Sequence, residues 1–383
     1  MTFTGRTAGG RPVEVECRGD RIDSIRDLPG TGEGLPFISA GFLDMQVNGF
    51  RGSDYSLPDL SPDHVRSIIS YLAAAGTTQH VPTIVTSPEN RIIRNLQVIA
   101  DLVRGDADAA AAISGIHIEG PFISQEEGPR GAHDPAFVRE PDPREFHEWQ
   151  AAAGGLIRIV TVAPERPGAI PFIEMLAGMR VVPAIGHTGA DPETIVRAVE
   201  AGARLSTHLG NGSFVTLPRL RNYIWEQLAE DRLTAGIICD GFHLPPSVVK
   251  VFHRAKGSDR MILVSDVALL GGLEPGIYKW GALDVQVYED GHLGLPGKAI
   301  LAGAAHLLDW DIPRFMDYTG ASLEETIRLC TVNPARLLGL PPGFGRLREG
   351  SPANLALFHY HRERLTILQT VRAGKTVFQN GKG

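Results

Sequence analysis

Short apolar, β-branched runs alternate with stretches of helical periodicity through most of the chain. Strand candidates fall at Pro36 to Met45, Thr77 to Val85, Ala111 to Ile118, Leu156 to Val162, Arg180 to Ile185, Ala203 to Thr207, Leu233 to Cys239 and Met261 to Ser265. Between most of them the sequence spells a helix start: Ser61-Pro62-Asp63, Ser87-Pro88-Glu89, Asp142-Pro143-Arg144-Glu145 (read as a capping box) and Asp191-Pro192-Glu193. A further start, Ser322-Leu323-Glu324-Glu325, follows the eighth run. Eight strands alternating with helices in roughly 300 residues predict an α/β fold, a (β/α)8 TIM-type barrel. An open doubly wound sheet is the rival, weakened because no Gly-x-Gly-x-x-Gly turn follows the first strand.

The two ends read differently. From Met1 to about Pro36, and again from about Gly350, short alternating runs are punctuated by Gly and Asp turns. The expectation is a small β-sandwich domain built jointly from residues 1–37 and 347–383, flanking a barrel of residues 38–346.

Composition narrows the class. A chain of 383 residues, 43% hydrophobic and 21% charged, is large enough to bury a full barrel and a smaller domain. A formal charge of −7, with no Lys/Arg run, argues against a nucleic-acid partner. No signal-like segment or long apolar span argues for a membrane. The three isolated cysteines, Cys17, Cys239 and Cys330, suit a reducing compartment, so the expected location is cytoplasmic.

Candidate chemistry gathers at the strand ends, the catalytic face of such a barrel. The third strand ends His117-Ile118-Glu119-Gly120-Pro121, the fifth at His187, the sixth at His208, the seventh at Asp240-Gly241-Phe242-His243 and the eighth at Ser265-Asp266. Glu119, His187 and His208 make a two-histidine, one-carboxylate set suited to Zn²⁺ or Fe²⁺, with an open position for water. Asp266 is then a free carboxylate able to take and return that water's proton, which is machinery for hydrolysing an amide or ester. The alternative is a belt of ion pairs and hydrogen bonds capping the barrel mouth. The first strand offers only Gln46-Val47-Asn48, whose amides are poor zinc ligands, so the expectation is one divalent ion per chain, with Zn²⁺ favoured over Fe²⁺. Gln46 and Asn48 are either hydrogen-bonded strand-end residues or substrate contacts.

The motifs Asp44-Met45-Gln46-Val47-Asn48-Gly49, His117-Ile118-Glu119-Gly120-Pro121-Phe122, Gly186-His187-Thr188-Gly189-Ala190, Thr207-His208-Leu209-Gly210-Asn211, Asp240-Gly241-Phe242-His243 and Val264-Ser265-Asp266 resemble, in order and spacing, the N-acetylglucosamine-6-phosphate deacetylases of the amidohydrolase superfamily. The resemblance spans nearly the whole chain. It implies a metal-dependent deacetylase with Glu119, His187 and His208 as ligands and Asp266 as acid/base. His133 would polarise the acetyl carbonyl, and His243 would hold the sugar or its phosphate.

The chain departs from that pattern after the sixth strand. Where the family runs Asn-Ala-Met and later Arg-Glu-Pro-Gly, its arginine reaching a neighbouring subunit's sugar phosphate, this chain runs from Asn211-Gly212-Ser213 to Pro218-Arg219-Leu220-Arg221. Arg219 or Arg221 replaces that arginine, by a guanidinium fork on phosphate, or is a solvated loop charge. Gln46, Asn211 and Gly212 complete the candidate substrate contacts, and the resemblance implies a homodimer. His64, His147 and His253 read as solvated helix residues, and His292, His359 and His361 as lying far from the rim. His306 follows the eighth-strand loop and is either a bland loop residue or one that reaches the pocket. Two other functions stay open: hydrolysis of another N-acyl substrate, such as an unphosphorylated acetylamino sugar or N-acyl amino acid, and a non-catalytic sugar-binding barrel.

Overall fold

The computed structural model describes residues 1–280, 283–297 and 301–381. Eight strands form its central sheet: β1 (Phe42–Val47), β2 (Thr77–Val85), β3 (Ile116–Glu119), β4 (Ile157–Val162), β5 (Val182–Ile185), β6 (Leu205–Ser206), β7 (Thr234–Ile237) and β8 (Met261–Leu263). Each pairs in parallel with the next, for example Val85 with Glu119, Val162 with Ile185 and Ile237 with Leu263. The ring closes between β8 and β1 through side chains as well as backbone. Ser265 N–H donates to Asp44 Oδ1 at 3.2 Å, Asp266 N–H donates to Gln46 O at 2.9 Å, and Val47 bridges Val267. Leu43, Met45, Val81, Ile159, Ala184, Leu205 and Ile262 share one buried cluster. Only the inside of a closed ring gathers side chains from six strands around it, and each burial of this size stabilises by about 1.5 to 3 kcal/mol.

The helices start largely where the sequence indicates. Ser61 caps α1 (Pro62–Ala74), Asp191 caps α6 (Pro192–Glu200), and Ser322 and Glu325 form a reciprocal capping box at their helix, Leu323–Leu329. Two expectations need correction. Asp142 caps α4 (Pro143–Ala152) through Arg144 N–H, but Glu145 does not reach back to complete a box, because Arg139 holds its carboxylate. The run from Ala111 is no strand at its start: Asp106 caps a short helix, Ala107–Ala112, and β3 begins only at Ile116. Five alanines behind an N-cap favour helix over the extended state.

The expected first run, Pro36 to Met45, is two strands. Phe37–Ala40 joins the terminal sheet, pairing Ala40 with Leu355, and β1 begins after Gly41. A β-carbon at Gly41 would stand 2.1 Å from Thr78 Cγ2, so only glycine lets the chain pass from one sheet to the other there. The terminal sheet has seven strands, drawn from Thr2–Arg6, Pro12–Arg18, Arg21–Asp27 and Phe37–Ala40 at one end and Leu355–Tyr360, Leu365–Arg372 and Lys375–Gln379 at the other. Phe3, Val13, Val15 and Ile22 share a core with Leu355, Leu357 and Val371, so the two halves of the sheet face each other. An unanticipated three-stranded antiparallel sheet, Gly276–Trp280, Leu283–Val287 and Leu293–Gly294, follows β8. Among the described residues no helix is long and apolar enough to cross a membrane.

Candidate active site

Parallel pairing brings the ends of β3, β5 and β6 to one rim. There Glu119 Oε1 lies 2.9 Å from His208 Nε2 and 3.3 Å from His187 Nε2, and the two imidazole nitrogens are 3.0 Å apart. All three side chains are buried. Donors at about 2.0 to 2.1 Å from a tetrahedral ion stand about 3.3 Å apart, so this triangle has the dimensions of one face of such a site. His133 Nε2 lies 3.2 Å from His187 Nε2, and Glu119, His133 and His187 each offer an atom within 4.8 Å of one another.

Protonation fits a cation as well. Pro129 O accepts from His187 Nδ1 at 2.8 Å, which fixes the tautomer and leaves Nε2 bare toward the cluster. Burial alone would raise the Glu119 pKa, but the two imidazoles against its carboxylate, His187 and His208, outweigh it and hold the carboxyl well below its ordinary range. Burial would likewise lower His208; its bond to Glu119 wins and lifts it to about 9. A proton held between a carboxylate and an imidazole this way marks where a divalent cation can replace it. His208 Nδ1 is buried with no partner among the described residues.

Backbone strain is concentrated at the same place. Of six non-glycine residues with positive φ among those described, three are His187, His208 and Asp266. Each left-handed residue costs on the order of 1 to 3 kcal/mol, so the surrounding loops over-determine these positions.

Asp266 comes from the opposite side of the ring. Burial and the Glu119 charge push its carboxyl up to about 6, against the pull of His208 and a hydrogen bond from Asn48. A carboxyl with that pKa exchanges a proton near neutral pH. His133 is driven to about 3 by burial and by His187, so its ring is neutral, with Nδ1 2.8 Å from Thr86 Oγ1. His243 is tethered by Nδ1 to Asp240 Oδ2 at 2.7 Å, while Asp240 Oδ1 takes the backbone N–H of Phe242 and His243.

The remaining candidates separate. Gln46 Nε2 donates to Glu119 Oε1 at 2.8 Å. Asn211 Nδ2 donates to the carbonyl of His208, and Gly212 packs on the His187 ring. Arg221 is exposed and ion-paired with Glu193 on α6. Arg219 is exposed and has no ion pair among the described residues.

Several contributors carry no sequence signal, because their partners are distant in the chain. Glu165 accepts from Thr188 Oγ1 and from Gly189 N–H at 2.7 Å, pinning the loop after His187. His117 is the exception: two residues before Glu119, it is expected from the sequence to share its strand face and support it, and it contacts Thr161 Oγ1 at 2.7 Å, which in turn meets Thr207. His292 was expected far from the rim; it stacks on Phe242, ring centres 4.9 Å apart, because the three-stranded insertion folds back over the end of β7. His306 stacks between Phe242 and Trp310.

Comparison with known proteins shows the family. Residues 37–377 match the amidohydrolase family. The chain is 33% identical over 370 residues to the N-acetylglucosamine-6-phosphate deacetylase of Bos taurus, covering 93% of this chain and 86% of that protein. It is 30% identical to that of Bacillus subtilis, covering 88% and 84%. Among solved structures, a mutant of the deacetylase from Mycobacterium smegmatis in complex with N-acetyl-D-glucosamine-6-phosphate superposes with a TM-score of 0.85 at 30% identity, over 96% of this chain and 95% of that one.

Proposed function

Because the chain belongs to the amidohydrolase family, among the N-acetylglucosamine-6-phosphate deacetylases, we propose that it hydrolyses the acetyl amide of N-acetylglucosamine 6-phosphate to acetate and the amino sugar, using one divalent ion. The observation that carries this reading is the buried triangle of Glu119, His187 and His208 with Asp266 across the ring. Those three residues would hold the ion, Zn²⁺ by the nitrogen-rich donor set, with Fe²⁺ the alternative. When bound, the ion supplies Lewis acidity that lets water give up a proton near neutral pH.

The chain's own groups do the rest. Asp266 takes the proton of the attacking water and returns it to the amide nitrogen as the C–N bond breaks, leaving acetate and the free amine. His133, neutral and fixed by Thr86, donates from Nε2 to the acetyl oxygen as charge develops there. His243, Asn211 and Gly212 hold the sugar.

The phosphate falls to Arg219 rather than Arg221, since Arg221 is already neutralised by Glu193. The arm bearing Arg219 also exposes apolar side chains, Val215 fully and Leu220 at 80%. An unpaired arginine among exposed hydrophobics suits a second copy of this chain, so a homodimer in which each arm reaches its neighbour's site is part of the proposal. Three buried, unpaired cysteines support a cytoplasmic location. The test is acetate release from a panel pairing each acetylamino sugar with its 6-phosphate. Equal turnover of phosphorylated and free sugars would move the substrate to an unphosphorylated acetylamino sugar.

A further inference from the structure

Gln46 and Asn48 stand two residues apart at the end of β1, and their amides point to different members of the site. Gln46 Nε2 reaches Glu119, whereas Asn48 Nδ2 donates to Asp266 Oδ1 at 2.7 Å and, more weakly, to Asp266 O at 3.3 Å. Asn48 is itself held by backbone: its N–H and that of Gly49 donate to Val267 O, and its carbonyl accepts from Tyr55 N–H. Its side-chain oxygen is buried and has no partner among the described residues. A buried amide whose only side-chain bonds go to one carboxylate residue, with its oxygen left unpaired at a cost of about 1 to 3 kcal/mol, is not there to stabilise the strand end.

We propose that Asn48 is the positioning residue for Asp266, fixing which carboxylate oxygen is turned to the water and which is held back. Asp266 has left-handed backbone at φ 49°, and among the described residues its carboxylate takes a side-chain hydrogen bond from Asn48 alone. The Asn48 bond occupies Oδ1 and leaves Oδ2 to exchange the proton. An amide in this place also cannot take that proton itself, as a histidine or carboxylate would. The pair at the end of β1 thus divides the labour: one amide steadies a candidate metal ligand, the other the acid/base group.

This inference rests on the deacetylase reading, and two measurements keep the two apart. The first needs no substrate: crystal structures of Asn48→Ala and of the isosteric Asn48→Asp, which keeps shape but replaces the donor by an acceptor. The expected result is an Asp266 side chain rotated from its place in the unmodified protein, with Glu119, His187 and His208 unmoved; an unmoved Asp266 overturns the proposal. The second is kinetic, on N-acetylglucosamine 6-phosphate. Asn48→Ala should lower kcat about 10- to 100-fold with KM within about threefold and metal content unchanged, and should have almost no further effect in an Asp266→Asn background. A normal kcat, or full additivity with Asp266→Asn, also overturns it. Absence of acetate release by the unmodified protein sinks the deacetylase reading alone, and the crystal structures then decide the role of Asn48.

Discussion

A β-carbon on Gly212 would stand 2.7 Å from His187 Nδ1, the same nitrogen that donates to Pro129 O. Gly212 also has φ of 53°, which disfavours any side chain. Gly212→Ala should therefore tilt the His187 ring and lower metal content and turnover together. Metal analysis of the purified variant checks this; full occupancy with a normal kcat would show that the loop yields instead.

Replacing Glu119, His187 or His208 by Ala leaves two donors of the set, too few for a tight site. Metal content should fall from close to one equivalent per chain to a small fraction. Two equivalents in the unmodified protein would refute a single-ion site.

Asp266→Asn keeps the bulk of the side chain and removes its proton exchange. The variant should retain its metal and lose roughly 100-fold or more in kcat. Near-normal turnover would exclude Asp266 as the acid/base.

Arg219→Ala should raise KM for the 6-phosphate about 30-fold or more, the loss of a charge-assisted contact of about 2 to 3 kcal/mol, and barely affect the free sugar. Arg221→Ala should change little, given its ion pair with Glu193. If the arm crosses to a neighbour, mixing Arg219→Ala subunits with Asp266→Asn subunits should restore activity, because one site in each hybrid then has both groups. No rescue in a verified hybrid would confine the arm to its own subunit.

His80 lies away from these groups, its Nε2 2.6 Å from Tyr55 Oη and its Nδ1 donating to Ala112 O. Burial, aided by the Arg372 charge, pushes its pKa from the ordinary 6.5 to about 3. The folded pKa is the lower one, so the unfolded chain takes up the proton first on acidification. His80 thus contributes full stability above about pH 6.5, lost at about 1.4 kcal/mol per pH unit as pH falls toward 3. Between pH 7.5 and 5.0 the unmodified protein should lose about 2 kcal/mol more than His80→Gln in urea denaturation. Identical losses would show that His80 is protonated in the fold.

The barrel was legible because its signals are local. Strands such as Thr77–Val85 and caps such as Asp191 announce themselves within a few residues. Where sequence and structure differ, a local preference competes with a distant constraint or loses to another local one. Pro36 to Met45 looks like one strand because nothing nearby reveals that Thr78 forces a glycine at position 41. Ala111 reads locally as the start of a strand, although Asp106 commits it to a helix.

The site followed the same rule. Glu119, His187, His208 and Asp266 were visible as polar residues closing apolar runs, and the structure brings them to one rim. Groups that orient His187 and its loop were not, since Pro129 O and Glu165 act across 58 and 23 residues of chain. His292 was misplaced because a sheet inserted after β8 carries it back to Phe242.

The seam between β8 and β1 joins residues about 220 apart in the chain, and the groups that zip it, from Asp44 and Gln46 to Ser265 and Asp266, include the proposed acid/base. A chain with seven strands in place and that seam open has a hydrophobic core but no assembled proton acceptor. Recovery of turnover after dilution from denaturant is therefore a clock for the final ring-closing step of folding, blind to everything that collapses before it.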